Sequence, residues 1–149
     1  MTRATASTEV RPAGKDDVEA ITRLAGELGY PSTADQVRER LGAVTADPQH
    51  ALLVAVDRSG SVVGWIQLSE ERSVVSDPRA EITGLVVDAN FRSAGVGRVL
   101  VEQGEAWARA RGLATIGLRS NVTRERAHDF YLRLGYKVTK SQKVFRKSL

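Results

Sequence analysis

"LVVDANFRSAGVGRVL", residues 85–100, leads from an apolar run through a bend with two glycines into an amphipathic pattern. The run predicts a β-strand and the later spacing predicts an α-helix. At such a junction the backbone N–H groups point outward at the positive end of the helix, an arrangement that suits phosphate groups. Gly95 and Gly97 lack the Cβ atoms that would block a ligand, and Arg92 and Arg98 add positive charge. The stretch therefore predicts a strand, a phosphate-binding bend and a helix.

Two common nucleotide-binding motifs do not fit this bend. A dinucleotide fingerprint requires another glycine at the position of Leu100, and a P-loop requires Lys and then Ser or Thr where Arg98 and Val99 stand. A tight turn without a ligand is the structural alternative, because glycine serves most often in turns. The bend taken alone leaves both interpretations open.

Composition limits what the rest of the chain can be. With 149 residues, of which 42% are hydrophobic, residues 1–149 are expected to form a single domain with a frayed N-terminus over about residues 1–8. The sequence contains no cysteine, which excludes disulfides, thiolate metal sites and a cysteine nucleophile. His50 and His128 are too few and too far apart in sequence for a metal site, so no metal is expected.

The charge and hydropathy patterns bear on location and partners. The start of the chain is polar, and no run reaches the roughly 18 apolar residues of a membrane span, so we expect a cytoplasmic protein with no membrane partner. The net charge of +4 fits either a small polyanionic ligand or an ordinary soluble surface. Nucleic acid is not expected, because no basic face is interleaved with aromatic residues.

Apolar periodicity predicts the remaining elements in the order strand, two helices, three strands, helix, strand, helix and closing hairpin. Thr33 with Gln36 predicts a capping box at the second helix, and Gly112 predicts the end of the third. The closing hairpin is expected within "YKVTKSQKVFRKSL", residues 136–149. This order indicates an α/β fold with a sheet of mixed direction.

Two blocks of the sequence resemble the GNAT family of N-acetyltransferases. The first is the bend, where Arg92, Gly95 and Gly97 match the family's Arg/Gln-x-x-Gly-x-Gly/Ala pattern. The second is "NVTRERAHDFYLRLGYK", where the matching residues are Asn121, Ala127, Phe130, Tyr131, Leu134, Gly135 and Tyr136. The order of elements agrees with the family from about Glu9 to Phe145. The resemblance implies a GNAT fold: a mixed, mostly antiparallel sheet, splayed between its fourth and fifth strands and flanked by four helices.

The resemblance also implies acetyl-CoA as the cosubstrate. Backbone amides of the bend would hold its pyrophosphate, and main-chain groups at the end of the fourth strand would pair with the pantetheine arm and bind the acetyl oxygen. Asn121 would bond this arm, although capping of the following helix is its ordinary role. Ser93 and Ala94 replace the small and basic pair that many family members carry. The implied cofactor-binding residues are Leu85, Val86, Val87, Arg92, Ser93, Ala94, Gly95, Val96, Gly97, Arg98 and Asn121.

Acetyl transfer to an amine requires a proton acceptor and a proton donor. We expect Glu81 to be the base, directly or through water, since several family members carry a glutamate six residues before the valine that ends this strand. We place it on the same face of the strand as Thr83 and Leu85. A solvent-facing carboxylate is the alternative. Tyr131 matches the family's tyrosine and would protonate or stabilise the thiolate, with core packing as the alternative.

The acceptor is expected to be a primary amine of a small molecule or peptide. Tyr30, Glu70 and Asp77 are the candidate substrate-binding residues. A non-catalytic acyl-CoA-binding regulatory module and a protein or peptide N-acetyltransferase remain alternative functions. Two-fold association is common in the family, so the resemblance also raises the expectation of a homodimer.

Overall fold

The computed structural model of the chain describes residues 8–149. The predicted fraying of residues 1–8 lies, apart from Thr8, outside the described residues. Contacts divide the chain into two compact units, one that ends at Arg119 and one that spans Ser120–Leu149. That the whole chain is a single domain stays a prediction.

A five-stranded sheet forms the centre of the first unit. Its strands lie in the order β1-β2-β3-β4-β5, and all neighbours are antiparallel except β4 and β5, which are parallel. The described strands are β1 (Glu9–Pro12), β2 (His50–Val56), β3 (Val62–Glu71), β4 (Arg79–Val87) and β5 (Ile116–Leu118).

Three helices pack on this sheet, and a fourth lies in the second unit. They are α1 (Val18–Leu28), α2 (Ala34–Ala46), α3 (Val96–Ala110) and α4 (Glu125–Arg133), with short 3-10 turns at Lys15–Asp17 and Ala89–Phe91. The predicted capping box of α2 is present: Thr33 Oγ1 accepts from Gln36 N at 3.1 Å, and Gln36 Oε1 accepts from Thr33 N at 3.0 Å. The mixed α/β architecture with four helices confirms the predicted fold class.

The two faces of the sheet are covered by different helices. Trp65 and Val54, on one face of β3 and β2, belong to the same buried cluster as Ile21 and Leu24 of α1 and Val37 of α2. Helix α3 covers the other face. There an added Cβ at Gly104 would lie 3.0 Å from Leu68, and one at Gly64 would lie 3.1 Å from Leu100. Because both faces of β3 are covered, nearly every residue of this strand is buried.

A β-bulge in β4 corrects one expectation. Leu68 pairs with Ile82 and Gln67 with Gly84, so Thr83 has no partner of its own on β3. The extra residue reverses the alternation of side chains beyond it. Glu81 therefore lies on the opposite face of β4 from Leu85, and the predicted shared face is wrong.

The second unit differs from the sequence prediction after α4. Among the described residues, 137–149 form neither helix nor strand, so the predicted closing hairpin is wrong. These residues are all exposed, among them Val138 and Phe145. Five of these thirteen residues are Lys or Arg, and like charges on facing strands destabilise a hairpin.

Candidate active site

The β4–α3 loop, residues 88–95, brings the chain into α3 through a left-handed bend. Ser93 has φ 69° and Gly95 has φ 88°, and Gly95 is the N-cap of α3 without any capping side chain. Val99 N donates to Gly95 O at 3.1 Å, which is the first hydrogen bond of the helix. The N–H groups of residues 96–98, in the first turn of α3, thus have no acceptor within the helix.

Two arginines lie close to these amides in the sequence. Arg92 and Arg98 are exposed, and Arg98 makes only a surface ion pair, with its Nε 3.2 Å from Glu102 Oε2. Such an exposed pair is weak and can yield to an anionic ligand. The positive end of a helix and exposed arginines are both features that suit a phosphate or diphosphate group.

Strand β4 reaches the same loop with part of one edge unpaired. The parallel ladder to β5 covers only Ala80–Ile82, whereas β4 continues to Val87. Within residues 8–149 no strand pairs with the β5 side of β4 beyond Ile82, as expected for a sheet splayed there. Val86 is buried in the core cluster, so its side chain is not available to a ligand.

Glu81 lies where β4 is still paired on both sides. Its register partners are Ser69 on β3 and Gly117 on β5. The residue is 6% exposed, and its Oε2 lies 3.4 Å from Arg119 Nη1. On the β5 side a Cβ added to Gly117 would lie 4.0 Å from Glu81 Oε1, so the glycine leaves room beside the carboxylate. Glu81 is thus a buried carboxylate with one cationic partner.

The three candidate substrate-binding residues have different surroundings. Tyr30 and Asp77 lie in exposed loops. Glu70 is buried between two arginines: its Oε2 is 2.7 Å from Arg72 Nη2, and its Oε1 is 2.8 Å from Arg111 Nη2. It pairs in register with Ala80, the neighbour of Glu81, and so lies on the opposite face of the sheet from Glu81. The negative charge of Glu70 is already compensated, which leaves little of it to attract an amine.

Tyr131 and Asn121 belong to the second unit. The ring of Tyr131 packs edge to face on Phe130 at 5.1 Å and Tyr136 at 5.8 Å, and burial raises the pKa of its phenol to about 12. Asn121 is not the N-cap of α4, which is Arg124, so the capping alternative is wrong. Instead Asn121 Oδ1 accepts from Thr123 N at 3.0 Å in a turn before the helix.

Comparison with known proteins identifies the fold and its family. The acetyltransferase (GNAT) family model matches residues 17–136, most of the chain. The aminoalkylphosphonate N-acetyltransferase of Salmonella typhimurium is 34% identical over 131 residues, which are 87% of this chain and 84% of that protein. The chain belongs to the GNAT family.

Two further similarities are to other acetyltransferases. The mycothiol acetyltransferase of Propionibacterium freudenreichii is 36% identical over 108 residues, which are 71% of this chain but only 33% of that longer protein. The structure of the aminoglycoside N-acetyltransferase AAC(6')-Iy in complex with CoA superposes with a TM-score of 0.84 at 18% identity and covers 95% of each chain. At that identity the superposition supports the fold alone. Since relatives that the chain matches over most of their length are named N-acetyltransferases, this GNAT chain is an acyltransferase enzyme.

Sequence reasoning missed the residues that surround these GNAT positions. Arg119 pairs with Glu81, and Arg23 of α1 donates to Asp88 in the β4–α3 loop at 2.8 Å. The stretch "DAN" directly after β4 favours a turn, because the side chain of an Asp can accept a hydrogen bond from the backbone N–H two residues later. No local signal identifies Arg23, which is separated from Asp88 by 65 positions in the sequence.

Two kinds of feature are absent from residues 8–149. No group of three or more His, Cys, Asp or Glu side chains lies close enough to hold a metal ion. No helix in this part of the chain combines the length and the apolar character that a membrane span requires.

Proposed function

We propose that this GNAT enzyme transfers the acetyl group of acetyl-CoA to a primary amine of a small molecule by direct attack in a ternary complex. The observation that carries the proposal is the left-handed bend at Ser93 and Gly95, which opens the first amides of α3 beside the unpaired end of β4. The absence of cysteine from the chain supports direct attack, because no thiol can carry the acetyl group between two half-reactions.

The donor site has two proposed parts. The amides of the bend and the side chains of Arg92 and Arg98 bind the pyrophosphate. Main-chain groups of Leu85–Val87 pair with the pantetheine arm, and one N–H there stabilises the oxyanion of the tetrahedral intermediate. Asn121 is proposed to contact the arm as well, on the strength of the family motif. Acetyl-CoA supplies an acyl group activated as a thioester, and the chain supplies orientation and charge.

In the proposed reaction a C–N bond forms to the amine and the C–S bond of the thioester breaks. The amine must first be neutral, although a lysine-like amine with a pKa of about 10.4 is mostly protonated at pH 7. Glu81 accepts the proton that the amine loses. Because Glu81 is 6% exposed, transfer through one water molecule is the route that its burial favours.

We propose that Tyr131 interacts with the thiolate of CoA as it leaves. Its phenol, with a pKa raised to about 12, stays protonated at neutral pH and can donate a hydrogen bond. A thiol has a pKa of about 8.5, so complete proton transfer from this phenol to a thiolate would be unfavourable. Stabilisation by hydrogen bonding is therefore the role that fits Tyr131 better than full protonation.

Small amines are the proposed acceptors because relatives of the chain are named for such substrates. One is an aminoalkylphosphonate N-acetyltransferase, and the CoA complex belongs to an aminoglycoside N-acetyltransferase. Exposed Tyr30 and Asp77 are the proposed contacts to the acceptor, and the residual charge of Glu70 is a lesser one. A cationic amine would be drawn to Asp77 and to Glu71, which is also exposed.

The test is a CoA-release assay with a panel of amines. A thiol reagent detects free CoA without background, because the protein contains no cysteine. The panel contains aminoalkylphosphonates, aminoglycosides, polyamines and lysine peptides. Release that depends on a small amine supports the proposal, and preference for peptides supports a protein acetyltransferase instead. Binding of acetyl-CoA with no turnover on any amine would favour a non-catalytic regulatory module.

A further inference from the structure

Two side chains of α1, one helical turn apart, hold the start of the β4–α3 loop. Arg23 Nη1 donates to Asp88 Oδ2 at 2.8 Å, and Glu27 Oε1 accepts from Ala89 N at 3.0 Å. The two residues of α1 also pair with each other, with Arg23 Nη1 3.4 Å from Glu27 Oε2. Arg23 and Glu27 thus bind a side chain and a main-chain group of adjacent loop residues.

Asp88 transmits this anchoring to the remainder of the loop. Its Oδ1 accepts from Asn90 N at 2.9 Å, and its carbonyl oxygen accepts from Phe91 N at 2.8 Å. The carbonyl oxygen of Phe91 in turn accepts from Ala94 N at 3.3 Å. The next residue is Gly95, the N-cap of α3. A series of hydrogen bonds of 2.8–3.3 Å therefore leads from α1 to the residue before Gly95.

The surroundings of Asp88 favour a firm contact. Asp88 is 8% exposed, and its own N–H donates to Val63 O at 2.8 Å. The N–H of Asn90 and the guanidinium of Arg23 lower the pKa of the carboxyl group against the opposing effect of burial. The carboxylate is thus charged at neutral pH, and its hydrogen bond from Arg23 is charge-assisted on both sides.

We propose that Arg23 and Glu27 are positioning residues that hold the β4–α3 loop in the conformation that binds the pyrophosphate of acetyl-CoA, an inference that rests on the proposed function. Neither residue is required to touch the cofactor, because both act through Asp88 and Ala89. Binding of the two parts of acetyl-CoA should respond differently to loss of Arg23 or Glu27. Loss of the anchor should weaken binding of the pyrophosphate and leave binding of the pantetheine arm along β4 unchanged.

The experiment compares acetyl-CoA with S-acetylpantetheine, which carries the same thioester without the pyrophosphate. Calorimetric titrations measure both affinities for the wild type, Arg23→Ala, Glu27→Gln, Asp88→Asn and the double variant Arg23→Ala/Asp88→Asn. Arg38→Ala is the matched control, since Arg38 makes only an exposed ion pair with Asp35. Arg23→Lys tests whether a positive charge suffices, and thermal melts verify that each variant is folded.

We expect Kd for acetyl-CoA to rise about tenfold in Arg23→Ala and Asp88→Asn, the effect of one charge-assisted hydrogen bond. The double variant should be no weaker than the worse single variant, because the two residues act through one contact. The affinity for S-acetylpantetheine should stay within about twofold of wild type, as should both affinities of Arg38→Ala. Should Arg23→Ala not fold, Asp88→Asn carries the same comparison, because it removes the charge of the other partner.

Two results would overturn the inference alone: an unchanged affinity of the variants for acetyl-CoA, or an equal loss for both donors, which would indicate a general structural defect. A wild-type protein that binds no acetyl-CoA would overturn the proposed function and this inference with it. The wild-type titration thus distinguishes the two failures.

Discussion

At the scale of single residues, the polar side chains inside the first unit differ in how completely they are paired. Glu70 contacts two arginines, whereas Glu81 has one arginine at 3.4 Å and a glycine on its other side. A carboxylate that is fully compensated stabilises a fold, and one with room beside it can accept a proton. This contrast supports the choice of Glu81 as the proposed base.

Substitution of Glu81 tests that assignment. Glu81→Gln keeps the shape of the side chain but removes its basicity, so we expect kcat to fall by about 10²- to 10⁴-fold. Affinity for acetyl-CoA should be unaffected. Glu19→Gln, an exposed position on α1, is the control and should retain full activity. Steady-state kinetics with the best amine of the panel gives the answer, and a Glu81→Gln enzyme with normal kcat would remove Glu81 from the mechanism.

Asp17 provides a pH-dependent contribution to stability. Its carboxylate accepts from Arg11 at 2.8 and 2.9 Å and from Gly14 N at 2.8 Å, and these bonds lower the pKa of Asp17 although burial opposes them. A lowered pKa in the folded state stabilises the protein above the unfolded value of about 3.9. This contribution is lost as the pH falls through the folded value.

Asp17→Asn should accordingly lower the free energy of unfolding by about 1–3 kcal/mol at pH 7. The difference between the wild type and Asp17→Asn should shrink below about pH 4, where the wild-type carboxyl group also becomes protonated. Urea unfolding of both proteins at pH 7 and below about pH 4 measures this difference in the free energy of unfolding. A difference that is constant with pH would show that the charge of Asp17 is not involved.

At the scale of elements, contact between β3 and α3 depends on a missing side chain. A Cβ at Gly64 would lie 2.9 Å from the carbonyl oxygen of Val86 and 3.3 Å from Val96 in the first turn of α3. The main-chain carbonyl cannot move without disturbing β4. The space at Gly64 therefore limits how closely both β4 and the start of α3 can pack against β3. The same first turn carries the amides proposed for the pyrophosphate.

Gly64→Ala should therefore destabilise the protein by about 1–3 kcal/mol through overpacking. Gly26→Ala in α1 is the matched control, because nothing lies within 4 Å of a Cβ at that position. The alanine should raise the stability of this helix by about 0.5–1 kcal/mol. Denaturant unfolding of both variants measures the two changes in the free energy of unfolding. Equal effects of the two substitutions would contradict the packing argument.

At the scale of the whole molecule, positive charge is concentrated in the second unit. Eight residues of Ser120–Leu149 are Lys or Arg and two are Asp or Glu, although the net charge of the chain is only +4. Residues 137–149 contribute five of these cations and are exposed throughout. Repulsion between like charges and the small number of apolar side chains disfavour compaction of this segment.

Hydrogen exchange should reveal the difference between the units. Amides of residues 137–149 are expected to exchange near the rate of an unstructured peptide, because the described structure gives them no helix or strand. Amides of β3, which pairs with a strand on each side, should be the most protected. Mass spectrometry of peptic fragments measures both, and strong protection of residues 137–149 would mean that they form hydrogen bonds in solution.

The sequence by itself determined the local parts of the candidate site. Ser93, Gly95 and Val96 form the predicted bend and helix start, and Thr33 with Gln36 forms the predicted cap, because backbone conformation and capping depend on residues a few positions apart. The family followed from two such local motifs. The identity of the acceptor amine did not follow from the sequence, because the exposed loops that would bind it contain no recognisable motif.

Only the tertiary structure decided the contacts between distant residues. It placed the bulge at Thr83 that turns Glu81 away from the face of Leu85, joined Glu70 to Arg111, and brought Arg23 to Asp88. It also left residues 137–149 without the predicted hairpin. Strand register and long-range ion pairs result from the packing of several elements at once, and no pattern within one element encodes them.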